Sequence, residues 1–217
     1  MGRIRALLFD LDGTLAETDT LHFEGWRELL GRQGIDADWE FYQRRVSGRL
    51  NPDIAADLLP HLSEAEAYRL LDHKESEFRR RTPELSPLPG LIHFLERARS
   101  SEMSLALVTN APVENAHALT GALGLSGAFD VEIFAGELPA GKPDPVAYRT
   151  ALERLGAAAD ESLAFEDSPS GIASAVGAGI TTVGIASTHD PEKLRAAGAS
   201  HVYPDFDSPE LLALVSG

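Results

Sequence analysis

Leu7-Leu8-Phe9-Asp10-Leu11-Asp12-Gly13-Thr14-Leu15 is the stretch on which the reading of this chain turns. The apolar run from Ile4 to Phe9 has the length and composition of a buried parallel strand. Asp10 and Asp12 stand at its carboxyl end, and Gly13 gives the backbone freedom to turn away there. Open parallel α/β sheets hold their ligands at that edge. Two carboxylates this close repel, so they need a cation or a shared proton, and their pKa values are driven apart. Such a pair can divide labour, one staying ionised as nucleophile or metal ligand while the other shuttles a proton. The simpler reading is an Asp-Gly turn. A calcium loop is excluded: it needs Gly at its sixth position and Glu at its twelfth, where Leu15 and Leu21 stand.

With 217 residues, 43% of them hydrophobic, the chain can bury a core as one large domain or one domain carrying an insertion. Its net charge of −15, from 34 acidic and 19 basic residues, disfavours nucleic acid and anionic membrane as partners. An anionic ligand would have to be held locally, by a metal or a few cations. There is no cysteine, which removes disulfides, thiol chemistry and Cys-type zinc sites and fits a reducing cytoplasm, the expected location. Arg3 and Arg5 precede the first apolar run, but Asp10 and Asp12 cut it far short of a signal-peptide core. Ala6 stands where myristoylation wants Ser or Thr, and no apolar segment approaches a membrane span. A monomer is expected, with a dimer as the other arrangement.

After Thr14 the pattern becomes helical for about seventy residues, which reads as an inserted domain. His22, Phe23, Trp26, Leu29 and Leu30 share one helical face; Trp39, Phe41, Tyr42 and Val46 continue a second helix. A polar turn, Ser47-Gly48-Arg49-Leu50-Asn51-Pro52, leads to a short helix through Ile54 and Leu58. Ser63 and Glu66 form a capping box for a fourth helix with the stripe Ala67, Leu71, Lys74, Phe78. From Pro87 onward, short apolar runs alternate with helical patterns, the mark of βα units on a parallel sheet. Strands are expected at 104–109, 131–134, 162–166, 181–185 and 201–203, and helices at 91–99, from Pro112, at 145–155, 170–178, 191–197 and 209–215. The fold class is therefore α/β, a Rossmann-like sheet covered by helices on both faces, formed by residues 1–16 and 84–217, with a helical cap at 17–83.

Three later strand ends carry polar groups. Thr109 and Asn110 are followed by Ala111-Pro112, either an ordinary helix opening or a place for an anion. Gly136 and Gly141-Lys142 nearly spell a phosphate loop, but Pro143 stands where its Ser or Thr belongs and offers no N–H. Lys142 is still notable, because the chain has sixteen arginines and only three lysines; it is either a surface charge or a compact cation for a phosphate or a carboxylate pair. Glu166-Asp167 either caps the next helix or joins Asp10 and Asp12 in an oxygen-ligand site for a hard ion such as magnesium.

Asp-x-Asp-Gly-Thr, a strand ending in Thr, Gly-Lys-Pro, and Glu-Asp before Ser-x-x-Gly, in this order, resemble the haloacid dehalogenase superfamily. The likeness covers nearly the whole chain and is greatest to the branch of β-phosphoglucomutases, phosphoglycolate phosphatases and small sugar phosphatases with a helical cap. It implies a magnesium-dependent phosphatase of a small phosphorylated metabolite, with Asp10 as the nucleophile that forms an aspartyl phosphate and Asp12 as acid, then base. It also implies that Asp10, the Asp12 backbone carbonyl and Asp167 hold magnesium, with Glu166 beside it, and that Thr109 and Lys142 bind the phosphoryl oxygens, with Asn110 helping from its backbone. Haloacid dehalogenation is disfavoured, since those relatives lack the second aspartate and the metal.

The resemblance places substrate choice in the cap. His22 and Lys74 match cap residues of the mutases; the simpler readings are that His22 packs on Trp26 and that Lys74 snorkels. Arg49 is the remaining candidate for the substrate, though the mutase pattern has its arginine where Asn51 stands here. The leading expectation is thus a phosphatase. A sugar-phosphate mutase is the alternative enzyme, and a non-catalytic regulatory domain the alternative of another class.

Overall fold

The computed structural model describes residues 4–214, so Arg3 and the last residue of the expected helix 209–215 lie outside the described residues. In chain order the elements are β1 (Ala6–Phe9), α1 (Asp19–Arg32), α2 (Trp39–Arg45), α3 (Asn51–Leu58), α4 (Glu64–Arg81), α5 (Leu91–Ser100), β2 (Ser104–Thr109), α6 (Val113–Ala122), β3 (Val131–Phe134), α7 (Val146–Leu155), β4 (Ser162–Glu166), α8 (Pro169–Gly177), β5 (Thr181–Ile185), α9 (Pro191–Ala197), β6 (His201–Tyr203) and α10 (Pro209–Leu214). The first strand begins two residues later than its apolar run, at Ala6, because both neighbours start level with it, at Ser104 and Ser162.

All pairings are parallel, in the order β3-β2-β1-β4-β5-β6. The chain builds outward from β1 in one direction and then from β1 in the other, so a crevice opens at the carboxyl ends of β1 and β4, where ligands bind in such sheets. Alternation along the strands sorts side chains by size. Leu7, Phe9, Leu105, Leu107, Leu163 and Phe165 face one layer, with Leu91 and Phe94 of α5 and Leu119 of α6. Ala6, Leu8, Ala106 and Ala164 face the other, where Ala147, Tyr148 and Ala151 of α7 approach closely.

Phe9 and Phe165 stack across the central strand pair, 4.7 Å apart and 13° from parallel, with Phe94 edge-on to both. Phe165 is fully buried, so Phe165→Ala leaves a large cavity beneath the crevice. It is expected to cost about 3–5 kcal/mol in denaturant unfolding.

Helices α1 to α4 bury a cluster of their own, centred on Trp26, Leu30, Tyr42, Ile54 and Leu59. The capping box of Ser63 and Glu66 starts α4, and Phe78 and Lys74 of its expected stripe are buried. The far end of α4 packs on α6, which brings the helical segment over the crevice.

Candidate active site

The register of β1 and β4 pairs Phe9 with Phe165, so the residues that follow, Asp10 and Glu166, emerge side by side. The Asp10 N–H donates to the Phe165 carbonyl at 3.0 Å, fixing the backbone one residue past the strand. Carboxylate oxygens of Asp10, Glu166 and Asp167 lie within 4.8 Å of one another, and all three residues are buried. Lys142, from the segment before α7, reaches into this group: its Nζ donates to Asp10 Oδ1 at 2.5 Å, to Glu166 Oε1 at 2.6 Å and to the Val108 carbonyl at 2.7 Å. The Tyr148 hydroxyl donates to Glu166 Oε1 at 2.7 Å, and Thr188 donates to Asp167.

One ammonium does not offset three carboxylates. Burial pushes the Asp10 carboxyl up to about 8, with Lys142 opposing and Glu166 adding to the rise. Burial likewise raises Asp167 well above the ordinary carboxylate range, and the neighbouring charge of Asp10 adds to it. A compact set of hard oxygen donors with this surplus of negative charge suits a divalent cation such as magnesium. The backbone is shaped to this cluster. Gly13 has φ +76°, and a Cβ there would lie 2.1 Å from Asp167 Oδ2. A Cβ on Gly171 of α8 would lie 1.9 Å from Glu166 Oε2. Gly171→Ala must therefore displace the Glu166 carboxylate, and it is expected to weaken divalent-cation affinity about 10- to 100-fold, read by metal titration of activity.

Asp12 turns toward the helical segment, where its Oδ1 lies 3.2 Å from His22 Nε2. Burial works against its ionisation, but the hydrogen bond and charge of His22 hold its carboxyl below the ordinary range. His22 stacks on Phe78, 4.1 Å between centroids, and not on Trp26, because α1 and α4 lie face to face. Thr109 closes β2, and its Oγ1 accepts from the Ala111 N–H at 2.9 Å. Asn110 acts through its side chain as a tie: its Oδ1 accepts from the Lys142 N–H at 3.0 Å, and its Nδ2 donates to the Gly48 carbonyl at 2.9 Å.

Between these residues and the helices is a cavity of about 90 Å³, lined by Asp10, Asp12, Lys142 and Asp167 below and by His22, Lys74 and Arg49, among others, above. Lys74 is buried, with its Nζ 2.5 Å from Glu75 Oε1 and 5.0 Å from the centre of the Trp26 ring. Arg49 lines the cavity, but its guanidinium donates to Asp57 at 2.8 Å and to the Arg45 carbonyl at 2.6 Å. The structure thus brings together the core residues expected from the strand ends. It leaves the cap cations in contact with carboxylates.

Residues 4–179 match the haloacid dehalogenase-like hydrolase family. This chain belongs to that family. A phosphorylated carbohydrates phosphatase of Thermotoga maritima is 33% identical to this hydrolase over 201 residues, 90% of this chain and 92% of the relative. Validoxylamine A 7'-phosphate phosphatase of Streptomyces hygroscopicus subsp. limoneus is 32% identical over 202 residues, 89% of this chain and 91% of the relative. The crystal structure of CbbY from Rhodobacter sphaeroides in complex with phosphate has a TM-score of 0.84 at 28% identity, covering 98% of this chain and 99% of that one. With the family and these phosphatases, the chain is an enzyme, a phosphoric monoester hydrolase.

Several polar residues of the site carry no motif. Glu75 is buried and lines the cavity, although a helical wheel places it beside the apolar stripe of its helix. Asp19 and Tyr42 form a buried pair, the hydroxyl donating at 2.6 Å, and Tyr42 counts as apolar when a sequence is scanned for stripes. The only signal for Glu75 is its place next to Lys74, the charged residue that interrupts that stripe.

Proposed function

We propose that this hydrolase is a magnesium-dependent phosphatase of a small phosphorylated metabolite, with a sugar phosphate as the favoured class, acting through an aspartyl phosphate on Asp10. The observation that carries this reading is the buried contact of Asp10 with Lys142 beside Glu166 and Asp167, while Asp12, two residues on, faces His22 and the cavity. Asp10 attacks phosphorus as the ester P–O bond breaks, and Asp12, which His22 favours as the anion in the free enzyme, takes up a proton in the substrate complex and gives it to the leaving oxygen. Asp12 then takes a proton from the water that cleaves the aspartyl phosphate. Asp10, the Asp12 carbonyl and Asp167 would hold the metal, with Glu166 at its side, where Lys142 and Tyr148 already fix one of its oxygens. When bound, magnesium supplies positive charge that lets a carboxylate approach a phosphate dianion. Thr109 and Lys142 bind the phosphoryl oxygens, and Asn110 helps from its backbone. Lys142→Met, which removes the one ammonium in this cluster, is expected to lower kcat/KM about 100- to 1,000-fold in a phosphate-release assay.

Residues 17–83 act as a cap that supplies His22, Lys74 and Arg49 to the substrate side; residues 1–16 and 84–217 do the chemistry. The separate apolar cluster of α1 to α4 supports that division. The absence of cysteine and the charge of −15 support a cytoplasmic enzyme with no nucleic-acid or membrane partner, working as a monomer. Among the described residues no helix is long and apolar enough to cross a membrane.

A mutase must keep its aspartyl phosphate from water while a bisphosphate turns over, which takes two anion subsites at once. Here Arg49 is engaged by Asp57 and Lys74 by Glu75, so water is the expected acceptor. The test is a panel of phosphorylated sugars, glycolates and nucleotides with magnesium. It includes β-glucose 1-phosphate with a trace of the 1,6-bisphosphate, and glucose 6-phosphate is measured against free phosphate. Free phosphate is the expected product. Fast isomerisation with little phosphate would install the mutase, and no reaction with any member would favour the regulatory domain.

A further inference from the structure

The cap half of the cavity holds an acid that phosphoryl transfer does not use. Glu75 lines the cavity and is held from three helices: Lys74 of α4 donates to its Oε1 at 2.5 Å, Asn51 of α3 to the same oxygen at 2.6 Å, and Asn115 of α6 to Oε2 at 2.5 Å. Fixed in this way, the carboxylate cannot swing out of the cavity. We propose that Glu75 makes this hydrolase selective for phosphomonoesters whose far end is an uncharged, hydroxyl-bearing group, and excludes substrates with a second phosphate or a carboxylate at that end. The proposal rests on the phosphatase reading and goes on to name the substrate class of the same site.

The basic side chains around the cavity decide the matter. Lys142 lies between Asp10 and Glu166, Arg49 on Asp57, Lys74 on Glu75, and the His22 ring on Asp12, each within 3.2 Å of its carboxylate. Among the described residues no lining cation is left to receive a second anion at the cap end. The acids exceed the cations there, because Asp19 also lines the cavity, and its buried Oδ2 has no hydrogen-bond partner among the described residues. Acceptors in this setting are satisfied by donors, and hydroxyls supply them, whereas an ionised phosphate or carboxylate has acceptors only. Like charges in a buried site are strongly disfavoured, which is how a pocket rejects a competitor that shares the reacting group.

The test is binding to Asp10→Asn protein with magnesium, which holds substrates without turnover, by calorimetry on matched pairs. These are a hexose 1-phosphate against its 1,6-bisphosphate, a ketopentose 5-phosphate against its 1,5-bisphosphate, and glycerol phosphate against phosphoglycolate. In each pair that binds, the uncharged-end member is expected to bind about tenfold or more tightly, and Glu75→Gln in the same background is expected to shrink that ratio about tenfold. Equal or tighter binding of the doubly charged members to protein with Glu75 intact overturns the proposal, and this result needs no change at Glu75. An unchanged ratio in a Glu75→Gln protein that circular dichroism shows to be folded overturns it as well. Discrimination in binding without phosphate release from the unaltered enzyme would break the phosphatase reading and leave this one standing; phosphate release without discrimination would do the reverse.

Discussion

Asp10→Asn is expected to reduce phosphate release about 10,000-fold or more while the protein stays folded. The amide keeps the shape of the carboxylate, so the Asp10 N–H still bonds Phe165 and the central strands are untouched. Three things are lost together: the nucleophilic oxygen, one member of the acidic cluster and one of the two anionic partners of Lys142. Groups that act as a unit lose nearly everything when one is removed. The desolvated Asp10 carboxylate is also a cost to folding that the amide does not carry, so thermal stability should hold or rise. Residual turnover near the unaltered rate would end the assignment of Asp10 as nucleophile.

Removal of divalent cations is expected to bring activity to background, and magnesium to restore it. Three buried carboxylates against one ammonium leave surplus negative charge where a phosphate dianion must approach, and side chains of the described residues offer no further free cation there. Without added positive charge the substrate is repelled, and burial favours protonation of the nucleophile. Asp167→Ala separates the metal's part from general electrostatics, since it lowers the repulsion yet removes a ligand. It should raise the magnesium concentration needed for half activity at least about tenfold. Full activity in excess chelator would contradict the site.

The local pattern of the chain determined a good deal. Short apolar runs marked the strands and period-3.6 spacing the helices, and parallel strands that all end at one edge make Asp10, Thr109 and Glu166 neighbours. Asp12, Lys142 and Asp167 followed from the same edge. The capping box at Ser63 is likewise a local device, complete within four residues.

Tertiary structure alone decided the cap side. His22 stacks on Phe78, 56 positions away in sequence, because α1 meets α4 face to face, and spacing within one helix pointed no further than Trp26. Arg49 turns to Asp57, and Glu75 is buried by the convergence of α3, α4 and α6, so which cap charges stay free for a ligand was settled by helices from distant parts of the chain. Asn110, a strand-end amide in sequence, proves to be the tie between the Lys142 segment and the Gly48 turn. Chemistry carried by residues close in sequence at one sheet edge is legible because the backbone geometry of a strand is local. Specificity carried by pairings across helices is not, because burial and charge compensation depend on which surfaces meet.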